Sequence, residues 1–312
     1  MSVLGIHHVT AISAEISRNL NFYTGVLGLR LVKKSVNQDD VSAYHLFYAD
    51  EIGSPGTDMT FFDWPAVRPN SPGGGSVALT SFRVPQASFG YWMERLGAHG
   101  IDVSREPGRL VFADPEGQRL ALVADDGLPA EVKPWTAIVP EESAIRGILG
   151  VDIDSRNAKG TAAVLTEILG FTEVEPGQFE VVTENSIGRI QVNDAGIGRM
   201  GMPGAGGVHH VAFRAKDDDH LNELLARVEA AGIRTSGYVN RFYFHSLYFR
   251  EPGGVLFEIA TDGPGMHQDE ELAHLGEKLA LPPFLEARRA EIEAGLKPIP
   301  NPAYLAAPFS GA

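Results

Sequence analysis

The chain has no cysteine, which removes disulfides, thiolate nucleophiles, zinc-finger sites and iron–sulfur clusters together. Any metal it holds must rest on imidazole and carboxylate. Basic residues are scarce as well, with 26 Lys and Arg against 40 Asp and Glu and a formal charge of -14. A surface of that sign repels phosphate backbones and anionic lipid, so neither nucleic acid nor membrane is an expected partner. No apolar run approaches the length of a membrane span, and Met1-Ser2-Val3-Leu4-Gly5 shows no basic n-region or long apolar stretch. The expectation is a cytoplasmic globular protein. Its 312 residues, 44% of them hydrophobic, suffice for two ordinary domains or one large one.

What is present repeats. A β-like run, a helix and a Gly-apolar pair that opens the next strand occur four times, at Gly28-Leu29, Gly100-Ile101, Gly170-Phe171 and Gly232-Ile233. Glycine just past a helix accepts the left-handed backbone that ends it, so helices are predicted over 17–27, 88–99, 158–169 and 221–231. A shift of 137 residues takes Pro115 onto Pro252 and Gly117 onto Gly254. Each unit reads βαβββ and is too small to bury both faces of its own sheet. The predicted class is therefore α+β, with four βαβββ modules paired into curved half-barrel sheets around a cavity. Modules one and two form an N-terminal domain over 1–126, and modules three and four a C-terminal domain over 145–263. Between them, 127–144 with Pro129, Pro134 and Pro140 is a linker. The tail 264–312 is expected to pack on the domains, with helices over 268–279 and from Pro283 to about Glu293, then an extended Pro-rich end.

Two strand-like stretches match each other, Ile6-His7-His8-Val9-Thr10 and, 202 residues on, Val208-His209-His210-Val211-Ala212. Side chains alternate faces along a strand, so one His of each doublet should point into the enclosed space and its neighbour away. Alternation does not say which. A third stretch, Val255-Leu256-Phe257-Glu258-Ile259-Ala260, sets one carboxylate among apolar residues, a costly arrangement unless a cation compensates it. Two imidazoles and one carboxylate with open positions match the facial triad of non-haem iron.

The modules and the His…His…Glu pattern resemble the vicinal oxygen chelate superfamily over residues 3–262. The His-His-Val-Thr opening, the Arg241…Tyr248…Glu258 stretch and Leu281-Pro282-Pro283-Phe284-Leu285-Glu286 resemble, more closely, ring-cleaving dioxygenases acting on hydroquinones and chlorohydroquinones. The resemblance implies that His8, His210 and Glu258 bind Fe(II), with manganese as the other metal considered. It also implies that His7, Thr10, His209, Arg241 and Tyr248 stand beside the metal or the substrate, and that the partners are a small aromatic diphenol and dioxygen. Tyr248 lies ten residues before Glu258, so the Glu251-Pro252-Gly253-Gly254 turn should fold it back toward the metal. His245 is a weaker acid or base candidate, on the opposite face of that strand.

Two other functions compete. A glyoxalase-like isomerase or lyase of the same superfamily needs a second carboxylate ligand. Overlaying Gly56 on Gly254 sets Thr60 opposite Glu258, with Asp58 two residues away on the same face. A non-catalytic small-molecule binding protein would need no triad. Para- versus ortho-diol and homo-oligomer versus monomer stay open at this stage.

Overall fold

In a computed structural model of the chain, which describes residues 1–124, 127, 132–302 and 304, the four modules are plain. Module one runs β1 (Ile6–Ser13), α1 (Ile16–Leu20), β2 (Arg30–Asn37), β3 (Asp40–Ala49) and β4 (Asp58–Asp63). Module two holds β5 (Ser76–Val84), α2 (Phe89–Ala98), β6 (Ser104–Glu106), β7 (Arg109–Ala113) and β8 (Arg119–Ala124). Module three holds β9 (Ile148–Ser155), α3 (Ala158–Ala163), β10 (Thr172–Glu175), β11 (Gln178–Val182) and β12 (Ile187–Asp194). Module four holds β13 (Gly207–Ala215), α4 (Asp218–Ala230), β14 (Val239–Asn240), β15 (Phe244–Arg250) and β16 (Leu256–Pro264). Helices α1 and α3 each continue as a wider π-turn, over Asn21–Val26 and Val164–Ile168. Gly28 and Gly170 follow them with φ of +74° and +78°, the left-handed conformation that the Gly-apolar pairs predict.

The strands form two eight-stranded sheets, ordered β14-β15-β16-β13-β1-β4-β3-β2 and β10-β11-β12-β9-β5-β8-β7-β6. Module one thus pairs with module four through antiparallel β1 and β13, and module two with module three through β5 and β9. The stretches 1–126 and 145–263 therefore share both sheets. Of the predicted linker 127–144, residues 128–131 lie outside the described residues.

Strand β1 is buried along its whole length. Val9 and Ala11 join Val211, Phe213, Phe257 and Ile259 in the main apolar core, whereas His8 and Thr10 occupy the other face, toward a cavity. The core gives the sheet a rigid back against which the polar face is set.

The tail departs from expectation at 268–279, where there is no α-helix. Single 3-10 turns occur at Met266–Gln268 and Leu272–His274, and Gly276 has a φ of +74°. Here tertiary contacts override local helix preference. The fully buried Lys33 ammonium binds Asp269 and Glu270, and Leu279 bridges to Lys34, so this segment is drawn along the sheet edge. The second predicted helix is divided into α5 (Pro283–Glu286) and α6 (Arg289–Gly295), whose Leu285 and Ile292 pack with Leu281 on Val36. Residues 305–312 of the extended end lie outside the described residues.

Candidate metal centre

Strand order brings the three candidate ligands together. Strands β1, β13 and β16 are neighbours, and their register aligns His8, Ala212 and Glu258 in one row across the sheet. Tyr248 extends that row on β15, opposite Glu258, where the hairpin turn was expected to deliver it. His210 lies one step along β13 from Ala212 on the same face, in a row with Thr10 and Thr60. The small, fully buried Ala212 side chain between His8 and Glu258 leaves room for the His210 ring to reach over it. His8 Nε2, His210 Nε2 and Glu258 Oε2 then converge, with separations of 3.3, 3.2 and 2.9 Å.

The expectation that the other histidine of each doublet points away is corrected by the structure. The register of β1 against β13 shifts between Ile6 and His8 and again between Val208 and His210, so His7 and His209 are each the extra residue of a β-bulge. A bulge breaks alternation. Both rings lie beside their partners, with His7 Nδ1 2.9 Å from His8 Nδ1 and His209 Nδ1 2.8 Å from His210 Nδ1. The equivalent pair β5 and β9 shifts at Val77/Leu79 and Ser81/Phe82, so the irregularity belongs to the repeat itself.

One of these contacts fixes a tautomer. His7 Nε2 lies 3.1 Å from the Thr261 carbonyl, which only accepts, so that nitrogen carries the proton. Burial, reinforced by His8, pushes the His7 pKa well below its ordinary value, so the ring is neutral and its Nδ1 is an acceptor. His8 Nδ1 must therefore donate to it, which leaves Nε2 as the His8 nitrogen turned toward His210 and Glu258 and placed to ligate a metal. Glu258 is buried, which raises a carboxyl pKa, yet His8 and His210 hold it well below the usual range. Its Oε1 accepts a 2.5 Å hydrogen bond from the buried Ser246 hydroxyl, and its Oε2 makes no well-formed hydrogen bond. Burial lowers the His210 pKa, against the opposing pull of Glu258. Three ligand-type atoms, two imidazole nitrogens and one carboxylate oxygen, thus meet about 3 Å apart, the spacing of adjacent donors around a six-coordinate ion with bonds of roughly 2.1 Å. The donor set fits a divalent transition metal held on one face.

A cavity of about 380 Å³ opens in front of this cluster, walled by Phe47, Phe62, Trp64, Tyr243 and Phe244. Arg241 closes one side. Its Nε donates to Tyr248 Oη at 3.2 Å, and its terminal nitrogens bind Asp39 at 3.2 and 2.9 Å. Burial opposes its charge, but Tyr248 and Asp39 hold its pKa above the ordinary guanidinium value. Burial, then Glu258, raises Tyr248, so it is a neutral phenol, its side chain lining the cavity. Arg241 and Tyr243 are set by a γ-turn at Phe242, with φ +72° and Tyr243 N–H donating to the Arg241 carbonyl at 2.9 Å.

Thr10 is buried and hydrogen-bonds Thr60 at 2.8 Å, and Thr60 in turn contacts His45 Nε2 at 2.9 Å. His45, Ser246 and Asp39 were not anticipated from the sequence. The repeat carries no counterpart of His45, and Ser246 and Asp39 are polar residues in ordinary strand and turn settings.

A family model described as the Glyoxalase/Bleomycin resistance protein/Dioxygenase superfamily matches residues 5–132 and 133–259. The chain belongs to this superfamily. It is 46% identical to a Bacillus subtilis (strain 168) protein named "Putative ring-cleaving dioxygenase MhqA", over 96% of this chain and 100% of that one. It is 30% identical to a chlorohydroquinone/hydroquinone 1,2-dioxygenase of Sphingobium indicum, over 93% and 95%. A crystal structure of a B. subtilis protein described as a "putative dioxygenase" superposes with a TM-score of 0.88 at 38% identity, covering 96% of this chain and 98% of that one. Within the superfamily, the four-ligand alternative needs a second carboxylate, and among the described residues the cluster contains only His8, His210 and Glu258. Asp58 shares the His8 row but stands outside that cluster, with both carboxylate oxygens buried and unpaired. His245 binds Asp218 at 2.6 Å and does not line the cavity.

Proposed function

We propose that the protein is a non-haem Fe(II)-dependent ring-cleaving dioxygenase that inserts dioxygen into a hydroquinone-type diphenol. His8, His210 and Glu258 would hold the ion. The observation that carries this reading is the convergence of their donor atoms, with the His8 ligand nitrogen set by the His7–Thr261 contact. Bound iron supplies the redox chemistry through which dioxygen reacts with the aromatic ring. The chain's own residues do the rest. The aromatic walls hold a planar ring and exclude water. Tyr248 donates a hydrogen bond to a phenolic oxygen, and Arg241, bonded to Tyr248 Oη, steadies that oxygen as charge gathers on it. His209, its pKa lowered to about 3 by burial and His210, is neutral and exchanges a proton with the substrate at the cavity wall. His7 orients His8, and Thr10 braces the floor through Thr60. No helix among the described residues is long and apolar enough to cross a membrane, and a cytoplasmic location belongs to the same reading.

The similarity to a chlorohydroquinone/hydroquinone 1,2-dioxygenase supports a para-diol substrate. The test is oxygen uptake by protein loaded anaerobically with iron, and separately with manganese, against hydroquinone, catechol and a methylglyoxal–thiol adduct. Uptake with hydroquinone is expected, together with its loss and the loss of bound iron in His8→Ala. Conversion of the thiol adduct without uptake would point to the isomerase instead, and binding without turnover to a non-catalytic role.

A further inference from the structure

Arg241 is the one Lys or Arg among the described residues that line the cavity, and its charge is already matched. Both terminal nitrogens are taken by the two Asp39 oxygens, and Nε by Tyr248. Asp39 is held in place to do this. It sits on the tight turn between β2 and β3, where Asn37 pairs with Asp40 and the Asp39 N–H donates to Asn37 Oδ1 at 2.9 Å. Its neighbour Gln38 donates to the Arg241 carbonyl at 2.8 Å, so one turn of module one grips both the backbone and the side chain of Arg241 in module four. A second carboxylate, Asp40, lines the same mouth and accepts from Ser42 and from the Trp64 indole.

A ring carrying its own carboxylate therefore finds no open guanidinium fork, and it meets the Asp40 carboxylate, which among the described residues is bonded only to Ser42 and Trp64, on the way in. A neutral diphenol needs no counter-charge and can hydrogen-bond the Tyr248 hydroxyl, which lines the cavity. We infer that Asp39 is a specificity determinant that occupies Arg241 and restricts the cavity to uncharged diphenols, excluding ring-carboxylated ones. This rests on the diphenol reading above.

The decisive comparison sets hydroquinone against 2,5-dihydroxybenzoate, the same para-diol with a ring carboxylate, in the native protein, in Asp39→Asn and in Asp39→Asn/Arg241→Leu. In the native protein the carboxylated ring should bind at least about tenfold more weakly. In Asp39→Asn the ratio of kcat/KM for 2,5-dihydroxybenzoate over hydroquinone should rise about tenfold, the worth of one charge-assisted bidentate contact. The double variant should lose that gain. Native discrimination should also shrink as salt is added, because Asp39 is largely exposed and its field is screened. A ratio within twofold of the native one in folded, iron-loaded Asp39→Asn overturns the inference. Anaerobic titration calorimetry with both diphenols reads the same discrimination without turnover. Absence of oxygen uptake by the native protein would thus defeat the dioxygenase reading while the Asp39 inference is still decided by binding.

Discussion

Replacing His7 with Phe isolates the tautomer argument. The ring volume is nearly kept, and Phe244, whose ring centre lies 5.3 Å from that of His7, can still pack against it. What disappears is the acceptor for His8 Nδ1–H and the donor to the Thr261 carbonyl. A buried donor left without a partner costs about 1–3 kcal/mol. The His8 ring can avoid that only by moving its proton to Nε2, where it blocks the metal. Outer partners of ligating histidines are worth roughly 10–100-fold in metal affinity, which is about 1.4–2.7 kcal/mol, and the two ranges agree. His7→Phe should therefore bind ferrous iron about 10–100-fold more weakly in an anaerobic competition with a chromogenic chelator, with an unchanged circular dichroism spectrum. His7→Gln, which keeps an acceptor oxygen, should recover part of the loss. Equal affinity of the native and Phe proteins would refute the chain of hydrogen bonds from Thr261 to the ligand nitrogen.

Three further outcomes are expected. Ala212→Leu would put three more carbons between His8 and Glu258, destabilise the protein by about 1–3 kcal/mol through overpacking, and reduce bound iron, measured by elemental analysis, well below one equivalent. In the metal-free protein, His7, His45, His209 and His210 all have pKa values lowered by burial. Between those values and 6.5 the unfolded chain binds more protons, so denaturation at a series of pH values should show stability rising with pH and levelling off above about pH 7. Each ring contributes at most about 1.4 kcal/mol per pH unit. Glu258 adds stability above about pH 4.5 that is lost as pH falls below it. Lys33→Met leaves Asp269 and Glu270 without their cation and should cost about 3–5 kcal/mol. Limited proteolysis should then cut between 266 and 281 faster than it does in the native protein.

The repeat was legible because its punctuation is chemical. A glycine with left-handed backbone closes the helix of each module, and the Asp-Pro turn of module two returns as the Glu-Pro turn of module four, and the modules follow from them. The triad was legible because a carboxylate in an apolar strand needs an explanation. Which modules share a sheet was not, since pairing of β1 with β13 depends on contacts 202 residues apart. The bulges at His7 and His209 were hidden for the same reason, a register shift being a property of two strands together. The helix expected at 268–279 failed because its acidic residues are claimed by Lys33, a lysine that reads as a surface residue until the tail is laid over it. Asp39 gave no signal at all, because a turn aspartate looks the same whether it faces water or an arginine.

Since both sheets are assembled from distant parts of the polypeptide, cutting the chain within 127–144 would yield two fragments, one bearing His8 and the other His210 and Glu258. Neither could grip an ion alone. Recovery of iron on mixing them would report reassembly directly, which makes this architecture a natural complementation sensor.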